Sequence, residues 1–273
     1  MGRRAHGIPL LVAAALIAGA VRASETDGGE AARADAGVQS ADAGADAAGT
    51  SRWCAPEIEA LDADVCTFTP SGAEPRTLVI FLHGLVKQGT TWQWNQQRAA
   101  VRAARRHHFA VLVPHGRLRV GRKEYADSFG WPTASAEQQS VEAEVLDEWA
   151  HARSVLEERR RKPFEKLWVF GFSAGAYYAT SLALRDRFAA QGYAVFAGGA
   201  APKQLGRHLR GIKHRPPIYV GWGLRDKARR DPASLAKELR AAGWKVRAGP
   251  RARVGHSMSD SQVDDAVKFF GGA

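Results

Sequence analysis

Short apolar runs alternate with amphipathic segments along the chain from residue 77 onward. The apolar runs predict strands at residues 77–83, 109–114, 167–172, 194–199, 218–223 and 246–251. The amphipathic segments predict helices at residues 92–106, 136–160, 174–186, 232–243 and 259–270. Because strands that alternate with helices form βαβ units, this order predicts an α/β fold with a mostly parallel sheet. The first run, residues 78–82, is apolar throughout, as is typical of a parallel strand with helices on both faces of its sheet.

The first residues have the features of an export signal. Arg3 and Arg4 supply positive charge, and the apolar run at residues 8–21 is shorter than the roughly 20 residues of a membrane span. Small residues stand at the positions required for cleavage before Ser24. We therefore interpret residues 1–23 as a secretory signal peptide and expect a secreted or periplasmic protein. An uncleaved N-terminal anchor is the alternative.

A polar, low-complexity segment separates this signal from the folded part of the chain. Residues 24–52 are mostly Ala, Asp, Gly and Ser. Such a composition cannot bury enough surface to offset the loss of chain entropy, so it predicts a disordered tether. The remaining residues, 53–273, are numerous enough for one well-buried core and are interpreted as a single α/β domain.

Composition and charge limit the classes of partner. Hydrophobic residues make up 45% of the chain and charged residues 25%, which is typical of a soluble globular protein. The formal net charge is +11, which favours anionic substrates or surfaces. However, the basic runs, such as residues 159–162, lack interleaved aromatic side chains, and the sequence contains no nucleic-acid-binding motif. We therefore expect a solvated basic surface, no nucleic-acid partner and no membrane span after signal removal. Oligomeric state is left open.

The chain contains two cysteines, Cys54 and Cys66. In an exported protein, a close pair of this kind predicts a disulfide bond, and two free buried thiols are the alternative. Two cysteines cannot supply the four ligands of a structural zinc site, and no cluster of His or Asp stands near them. The sequence therefore predicts neither a metal site nor a cofactor site.

A G-x-S-x-G motif occupies residues 171–175, where a predicted strand runs directly into a predicted helix. In this context the serine lies in a sharp turn at the helix N-terminus, where the helix dipole favours a developing negative charge. The flanking glycines have no Cβ to clash with neighbouring elements. The motif alone occurs by chance in many proteins, but its strand–turn–helix context predicts Ser173 as a nucleophile.

A serine hydroxyl needs a base to act as a nucleophile, and the base needs an orienting acid. In this arrangement the acid and then the base follow the nucleophile along the chain. His256 follows the last predicted strand, and Asp226 follows the strand before it, so both lie at strand carboxyl ends, where function is concentrated in parallel sheets. Asp231 is the rival acid, but its position predicts the N-cap of the next helix. We predict Ser173, Asp226 and His256 as a catalytic triad.

Acyl transfer at this serine also needs two N–H donors that form an oxyanion hole. One donor is expected to be the backbone N–H of Ala174, the residue after the nucleophile. The second is expected from the loop after an early strand, where His83-Gly84-Leu85 follows an apolar run. The glycine allows close approach of the backbone, so we predict the Leu85 N–H as the second donor. His83 is predicted to hold the loop through hydrogen bonds, with a role as catalytic base as the alternative.

The order of these motifs resembles the α/β-hydrolase superfamily. The matching segments are His83-Gly84-Leu85, Gly171-Phe172-Ser173-Ala174-Gly175, Gly223-Leu224-Arg225-Asp226 and Gly255-His256. Within the superfamily the chain is similar to compact secreted esterases related to polyhydroxybutyrate depolymerases and feruloyl esterases, and to the carboxylesterase and acyl-protein thioesterase group. The resemblance covers residues 77 to about 270 and implies an acyl-enzyme route without a cofactor. Trp222 departs from many relatives, which have His at this position.

These observations predict a secreted serine hydrolase that cleaves small or polymeric carboxylic esters. An acyltransferase or peptidase with the same triad is one alternative, and a non-catalytic surface-binding module is another. The short connection between the predicted strands at 194–199 and 218–223 leaves no room for a large lid domain, so we expect an open site. A long loop at residues 116–135 carries Tyr125, Phe129 and Trp131, which either line a pocket or pack the loop down.

Overall fold

The computed structural model describes residues 53–62, 65–121, 123–202, 205–209 and 212–271. The predicted signal peptide (1–23) and the predicted tether (24–52) lie outside the described residues. None of the helices within these described ranges is long and apolar enough to cross a membrane.

The described strands and helices follow the predicted alternation. In chain order, the strands are β1 (Glu59–Ala60), β2 (Val65–Phe68), β3 (Thr77–Leu82), β4 (Val86–Lys87), β5 (Ala110–Pro114), β6 (Ser128–Phe129), β7 (Lys166–Phe172), β8 (Gly192–Phe196), β9 (Ile218–Gly223) and β10 (Val246–Arg251). The helices are α1 (Trp92–His107), α2 (Ser135–Arg159), α3 (Ala174–Leu184), α4 (Leu205–His208), α5 (Arg230–Ala241) and α6 (Asp260–Gly271). A short 3₁₀ helix lies at Lys123–Tyr125.

All the predicted strands and helices are present, with shifts at their ends. The strand predicted at 194–199 is β8, which ends at Phe196, and the helix predicted at 232–243 is α5, which begins at Arg230. The strands β1, β2, β4 and β6 were not predicted, because runs of two to four residues show too little periodicity to be recognised.

The main sheet in the described part of the chain has eight strands in the order β1-β2-β5-β3-β7-β8-β9-β10. Neighbouring strands from β5 to β10 are parallel, whereas β1 and β2 add an antiparallel edge. A separate antiparallel pair is formed by β4 and β6. The mostly parallel α/β sheet predicted from the sequence is therefore confirmed.

Helices cover both faces of this sheet, and the strand β3 shows why its sequence is apolar throughout. Leu78, Ile80 and Leu82 pack in one core with residues of α2, α3 and α5. Val79 and Phe81 pack in a second core with residues of α1 and α6. Successive side chains of a strand alternate between faces, so a strand buried on both sides needs apolar residues at every position.

The Cys54–Cys66 disulfide predicted from the sequence is present, with the two Cα atoms 5.5 Å apart. Cys66 lies on β2 and is fully buried, whereas Cys54 precedes β1. The bond therefore fastens the start of the described chain to the antiparallel edge of the sheet.

The connection between β8 and β9, residues 197–217, contains no large inserted domain. The only helix described within it is α4, Leu205–His208. Within the described residues, this connection therefore adds only a single helical turn between the two strands.

Candidate active site

The carboxyl end of β7 turns sharply into α3, and Ser173 occupies the turn. Its backbone has φ +51° and ψ −114°, a combination that costs a non-glycine residue about 1–3 kcal/mol and needs support from its surroundings. The Ser173 N–H donates to the Phe196 carbonyl of β8 over 2.9 Å. The neighbouring strand thus helps to hold the turn at the N-terminus of α3.

Two glycines allow this turn to pack closely. A Cβ at Gly171 would lie 2.4 Å from the Gly175 carbonyl oxygen. A Cβ at Gly175 would lie 2.2 Å from the Leu82 carbonyl oxygen of β3. Both distances are far below a normal van der Waals contact, so any other residue would displace the backbone. The spacing of the G-x-S-x-G motif is therefore explained by close packing around the serine.

His256 connects the serine to an acid. Its Nε2 lies 2.8 Å from Ser173 Oγ, and its Nδ1 lies 2.8 Å from Asp226 Oδ2. A carboxylate can only accept, so the histidine donates through Nδ1–H, and Nε2 is left to accept from the serine hydroxyl. The turn after β7 and the loops after β9 and β10 supply the three residues. The structure thus brings together all three members of the predicted triad.

The orientation of Asp226 is set by contacts on both carboxylate oxygens. The residue is 3% exposed, and its Oδ1 accepts a hydrogen bond from the Ala228 N–H over 2.8 Å while Oδ2 accepts from His256. The histidine ring also packs against Phe172, with ring centroids 5.3 Å apart. Acid and base are therefore held in one arrangement before any substrate binds.

The rival acid, Asp231, has a different partner. It lies in the first turn of α5, and its Oδ2 accepts a hydrogen bond from the Tyr177 hydroxyl over 2.5 Å. The predicted N-cap role of Asp231 is wrong, because α5 already begins at Arg230 and no side chain caps it. Burial and the bond to Asp231 raise the pKa of Tyr177, so its hydroxyl remains a donor.

Of the two predicted oxyanion donors, Ala174 directly follows the nucleophile, and Leu85 follows Gly84, which packs against Ser173. Neither the Ala174 N–H nor the Leu85 N–H donates to another residue in the described part of the chain. Ala174 begins α3, so its N–H has no acceptor within the helix. The Gly84 N–H, in contrast, is occupied by Gln96 Oε1 at 2.8 Å. A Cβ at Gly84 would lie 3.2 Å from Ser173 Cβ, so this loop contacts the nucleophile directly.

His83 holds the loop at residues 83–85 through hydrogen bonds. Its buried ring donates through Nδ1–H to the Gly84 carbonyl over 2.5 Å and accepts through Nε2 from the Gly116 N–H over 2.9 Å. Its own carbonyl accepts from the Gly175 N–H and from Trp131 Nε1. Burial lowers the pKa of His83 to about 3, so the ring is neutral. These contacts agree with the structural role predicted for His83.

Two aromatic residues of the loop at residues 116–135, Trp131 and Phe129, pack against neighbouring aromatic side chains. Trp131 is 2% exposed, and its ring stacks parallel to Tyr178 with centroids 5.9 Å apart. The Phe129 ring lies 4.1 Å from His115, centroid to centroid. Of the two interpretations of this loop, packing therefore describes Trp131 and Phe129.

The arrangement contains groups that acyl transfer needs: a serine, a histidine hydrogen-bonded to it, a buried acid and two N–H groups without an acceptor among the described residues. Within the described ranges, no group of three or more His, Cys, Asp or Glu side chains is arranged to hold a metal ion.

A family model described as phospholipase/carboxylesterase matches residues 66–271. The match extends from β2 to the end of α6 and includes every residue of the site. The chain belongs to the phospholipase/carboxylesterase family. It is therefore a serine hydrolase that acts on carboxylic esters, and the alternative of a non-catalytic binding module is wrong.

Individual relatives of this carboxylesterase-family protein agree with the assignment. Acyl-protein thioesterase 1 of Eremothecium gossypii is 24% identical over 210 residues, which are 70% of this chain and 85% of the relative. Among solved structures, esterase PE8 superposes with a TM-score of 0.56 at 18% identity, covering 76% of this chain and 96% of PE8. A carboxylesterase from Mesorhizobium loti gives 0.53 at 20% identity, covering 77% and 94% of the two chains. These structures confirm the α/β-hydrolase fold.

Two residues near the site of this family member were not predicted from its sequence. Gln96 accepts a hydrogen bond from the Gly84 N–H. Tyr177 of α3 donates a hydrogen bond to Asp231 of α5. The sequence did contain a signal for Gln96, because Gln93, Gln96 and Gln97 are spaced to share one helix face. Amide side chains need hydrogen-bond partners when they are buried. Tyr177 follows Ser173 by one helical turn, so it lies on the same face of α3.

Proposed function

We propose that this chain is an exported carboxylesterase that forms an acyl-enzyme on Ser173. The observation that carries the proposal is the continuous hydrogen-bond chain from Ser173 through His256 to Asp226. In this proposal His256 is the general base, Asp226 orients it, and the N–H groups of Ala174 and Leu85 form the oxyanion hole.

The reaction begins when an ester carbonyl carbon approaches Ser173 Oγ. His256 Nε2 removes the hydroxyl proton as Oγ bonds to the carbonyl carbon, and the carbonyl π electrons move to its oxygen. Collapse of this intermediate breaks the bond to the alcohol oxygen, which takes the proton from His256. Water then gives a proton to His256 and attacks the acyl carbon, and Ser173 Oγ leaves with that proton as the carboxylic acid is released.

The fixed groups stabilise charges that exist only during these steps. The Ala174 and Leu85 N–H groups stabilise the oxyanion, and loss of one such donor typically lowers kcat by about 10²–10³. The N-terminus of α3 adds a favourable dipole at the same place. Asp226 stabilises the positive charge that His256 carries after the first proton transfer.

The surroundings of the site favour short or accessible acyl groups. No inserted lid covers the carboxyl edge between β8 and β9 in the described part of the chain. Two large apolar side chains of the described residues are exposed, Trp92 at 60% and Leu224 at 48%. Trp92 is one helical turn before Gln96, and Leu224 is two residues before Asp226. We infer that they contact apolar parts of a substrate that reaches the serine from solvent.

Export is part of the same proposal. The basic and apolar start of residues 1–23 motivates it, and the Cys54–Cys66 disulfide supports it because such bonds persist in oxidising compartments. N-terminal sequencing of the exported protein should find Ser24 first. A membrane-bound protein that keeps Met1 would instead support the uncleaved anchor.

A fluorophosphonate probe tests the nucleophile. It should modify Ser173, identified by mass spectrometry of the labelled peptide, and Ser173→Ala should abolish both labelling and ester hydrolysis. Ser181→Ala, on the same helix, is the matched control and should retain both. Labelling at another residue of active protein, or hydrolysis by the Ser173→Ala variant, would overturn the proposal. Products formed with an added alcohol or amine would distinguish an acyltransferase.

A further inference from the structure

The start of the described chain packs against the loop at residues 83–85, which we call the oxyanion loop because it carries the proposed donor Leu85. The Trp53 indole is buried, and it stacks on His115 with ring centroids 3.8 Å apart and an angle of 27° between the rings. The same indole meets the His83 ring edge-on at 4.8 Å. His83 in turn bonds to the Gly84 carbonyl and the Gly116 N–H. Trp53 therefore forms part of the wall that surrounds the histidine holding this loop.

Trp53 is itself held in place by a covalent bond and by α1. The next residue, Cys54, is joined to Cys66 on β2. The Trp53 carbonyl accepts from Gln97 Nε2 over 2.9 Å, and Gln97 Oε1 accepts from the Ala55 N–H over 2.8 Å. Gln97 is fully buried, so these two bonds are shielded from water. Gln93 Nε2 also donates to the Trp53 carbonyl, over 3.1 Å. The position of the indole thus depends on the disulfide and on two glutamines of α1.

We propose that Trp53, fastened by the Cys54–Cys66 disulfide, is a positioning residue for the oxyanion hole. It keeps the His83 ring in place, and His83 keeps the Leu85 N–H beside the nucleophile. This inference rests on the proposed function, because it acts through the proposed donor. It assigns a part in catalysis to a segment that lies before the matched family region.

The packing explains how a change at Trp53 reaches the loop. Removal of the indole leaves a void against both His83 and His115, and core side chains next to a void relax into it. A shift of His83 moves Gly84 and Gly116 with it, because both ring nitrogens are hydrogen-bonded to them. Displacements of about 1 Å at a reacting centre can lower a rate by about 10².

Substitution of Trp53 tests the proposal. Trp53→Leu removes the aromatic contacts and should lower kcat for a soluble p-nitrophenyl ester by about tenfold or more, a part of the 10²–10³ expected for loss of a donor. KM should change less than about twofold, because ground-state binding does not use the oxyanion contacts. Trp53→Phe keeps an aromatic ring against both histidines and should restore most of kcat.

A second buried tryptophan provides a matched control. Trp244 precedes β10, at the amino edge of the sheet, and its Nε1 donates to the Pro216 carbonyl. Trp244→Leu should lower the thermal midpoint without changing kcat at a temperature well below unfolding. If Trp53→Leu behaves in the same way, Trp53 is only a packing residue and the proposal is overturned.

Reduction of the disulfide gives an independent arm that needs no substitution. The wild-type protein is treated with a phosphine reductant, thiol counting verifies two free cysteines, and circular dichroism verifies the fold. Reduction should lower the kcat of the wild-type protein, as the Trp53→Leu substitution does. Reduction of the Trp53→Leu variant should lower its kcat by a smaller factor. Unchanged kcat in the folded, reduced protein would overturn the role of the disulfide even where Trp53→Leu fails to fold.

The two proposals fail separately. If Ser173→Ala remains active, the proposed function is wrong, and Trp53 has no oxyanion hole to support. If activity requires Ser173 while Trp53→Leu keeps full kcat, only the positioning role is wrong.

Discussion

Replacement of Asp226 by Asn keeps the shape of the acid and removes its charge. In the structure, Asp226 Oδ1 accepts from the Ala228 N–H and Oδ2 accepts from His256 Nδ1–H. An amide has one acceptor oxygen, so Asn can satisfy only one of these donors. If the oxygen stays on Ala228, the amide NH₂ faces His256 Nδ1. The histidine then carries its proton on Nε2 and can no longer accept the proton of Ser173.

The opposite orientation of the amide is unfavourable for a reason visible in the structure. It would place the NH₂ group against the Ala228 N–H, and an unsatisfied buried donor costs about 1–3 kcal/mol. Both orientations also remove the charge that stabilises the imidazolium. We therefore expect Asp226→Asn to lower kcat by about 10³–10⁴, equivalent to about 4–5 kcal/mol of transition-state stabilisation.

Asp231→Asn is the matched control for this substitution. Its amide oxygen can still accept the hydrogen bond from Tyr177, so kcat should stay within about twofold of the wild-type value. Both variants are assayed for kcat and KM on one soluble p-nitrophenyl ester, with circular dichroism to verify folding. If Asp231→Asn is severely impaired while Asp226→Asn retains normal kcat, the assignment of the acid is wrong.

Two further predictions concern stability and substrate choice. Burial opposes ionisation of Glu142, but hydrogen bonds from Arg185 and Arg187 outweigh it and hold its pKa below the usual 4.5. Glu142 therefore stabilises the fold above about pH 4.5, and this contribution is lost as pH falls through the lower folded-state value. Glu142→Gln should lower the free energy of unfolding by about 2–3 kcal/mol at neutral pH, which is less than the loss on breaking a fully buried ion pair. Denaturant unfolding should show that the difference between variant and wild type becomes smaller in acid. For substrate choice, p-nitrophenyl acetate and butyrate should be hydrolysed faster than emulsified long-chain triglycerides, and strong activation at the lipid interface would contradict the absence of a lid.

Local patterns in the sequence were sufficient to predict the fold and to select three residues that the structure brings into contact. Continuous apolar runs predicted the parallel strands, because a strand buried on both faces has no polar position. Ser173 was predictable because its turn requires glycines at fixed spacing. Asp226 and His256 were predictable although distant in sequence, because parallel topology places the carboxyl ends of their strands at one edge of the sheet.

The tertiary structure alone decided how these residues are supported. The sequence favoured a capping role for Asp231, whereas the fold brings Tyr177, 54 positions away, to its carboxylate. Only the fold shows that Gln96 accepts from the Gly84 N–H, whereas the Leu85 N–H has no acceptor among the described residues. The contact of Trp53 with His83 is likewise absent from any local pattern. Each of these contacts joins residues of different strands, helices or loops. The apolar pattern of one segment predicts that segment alone, so these contacts depend on how the segments pack together.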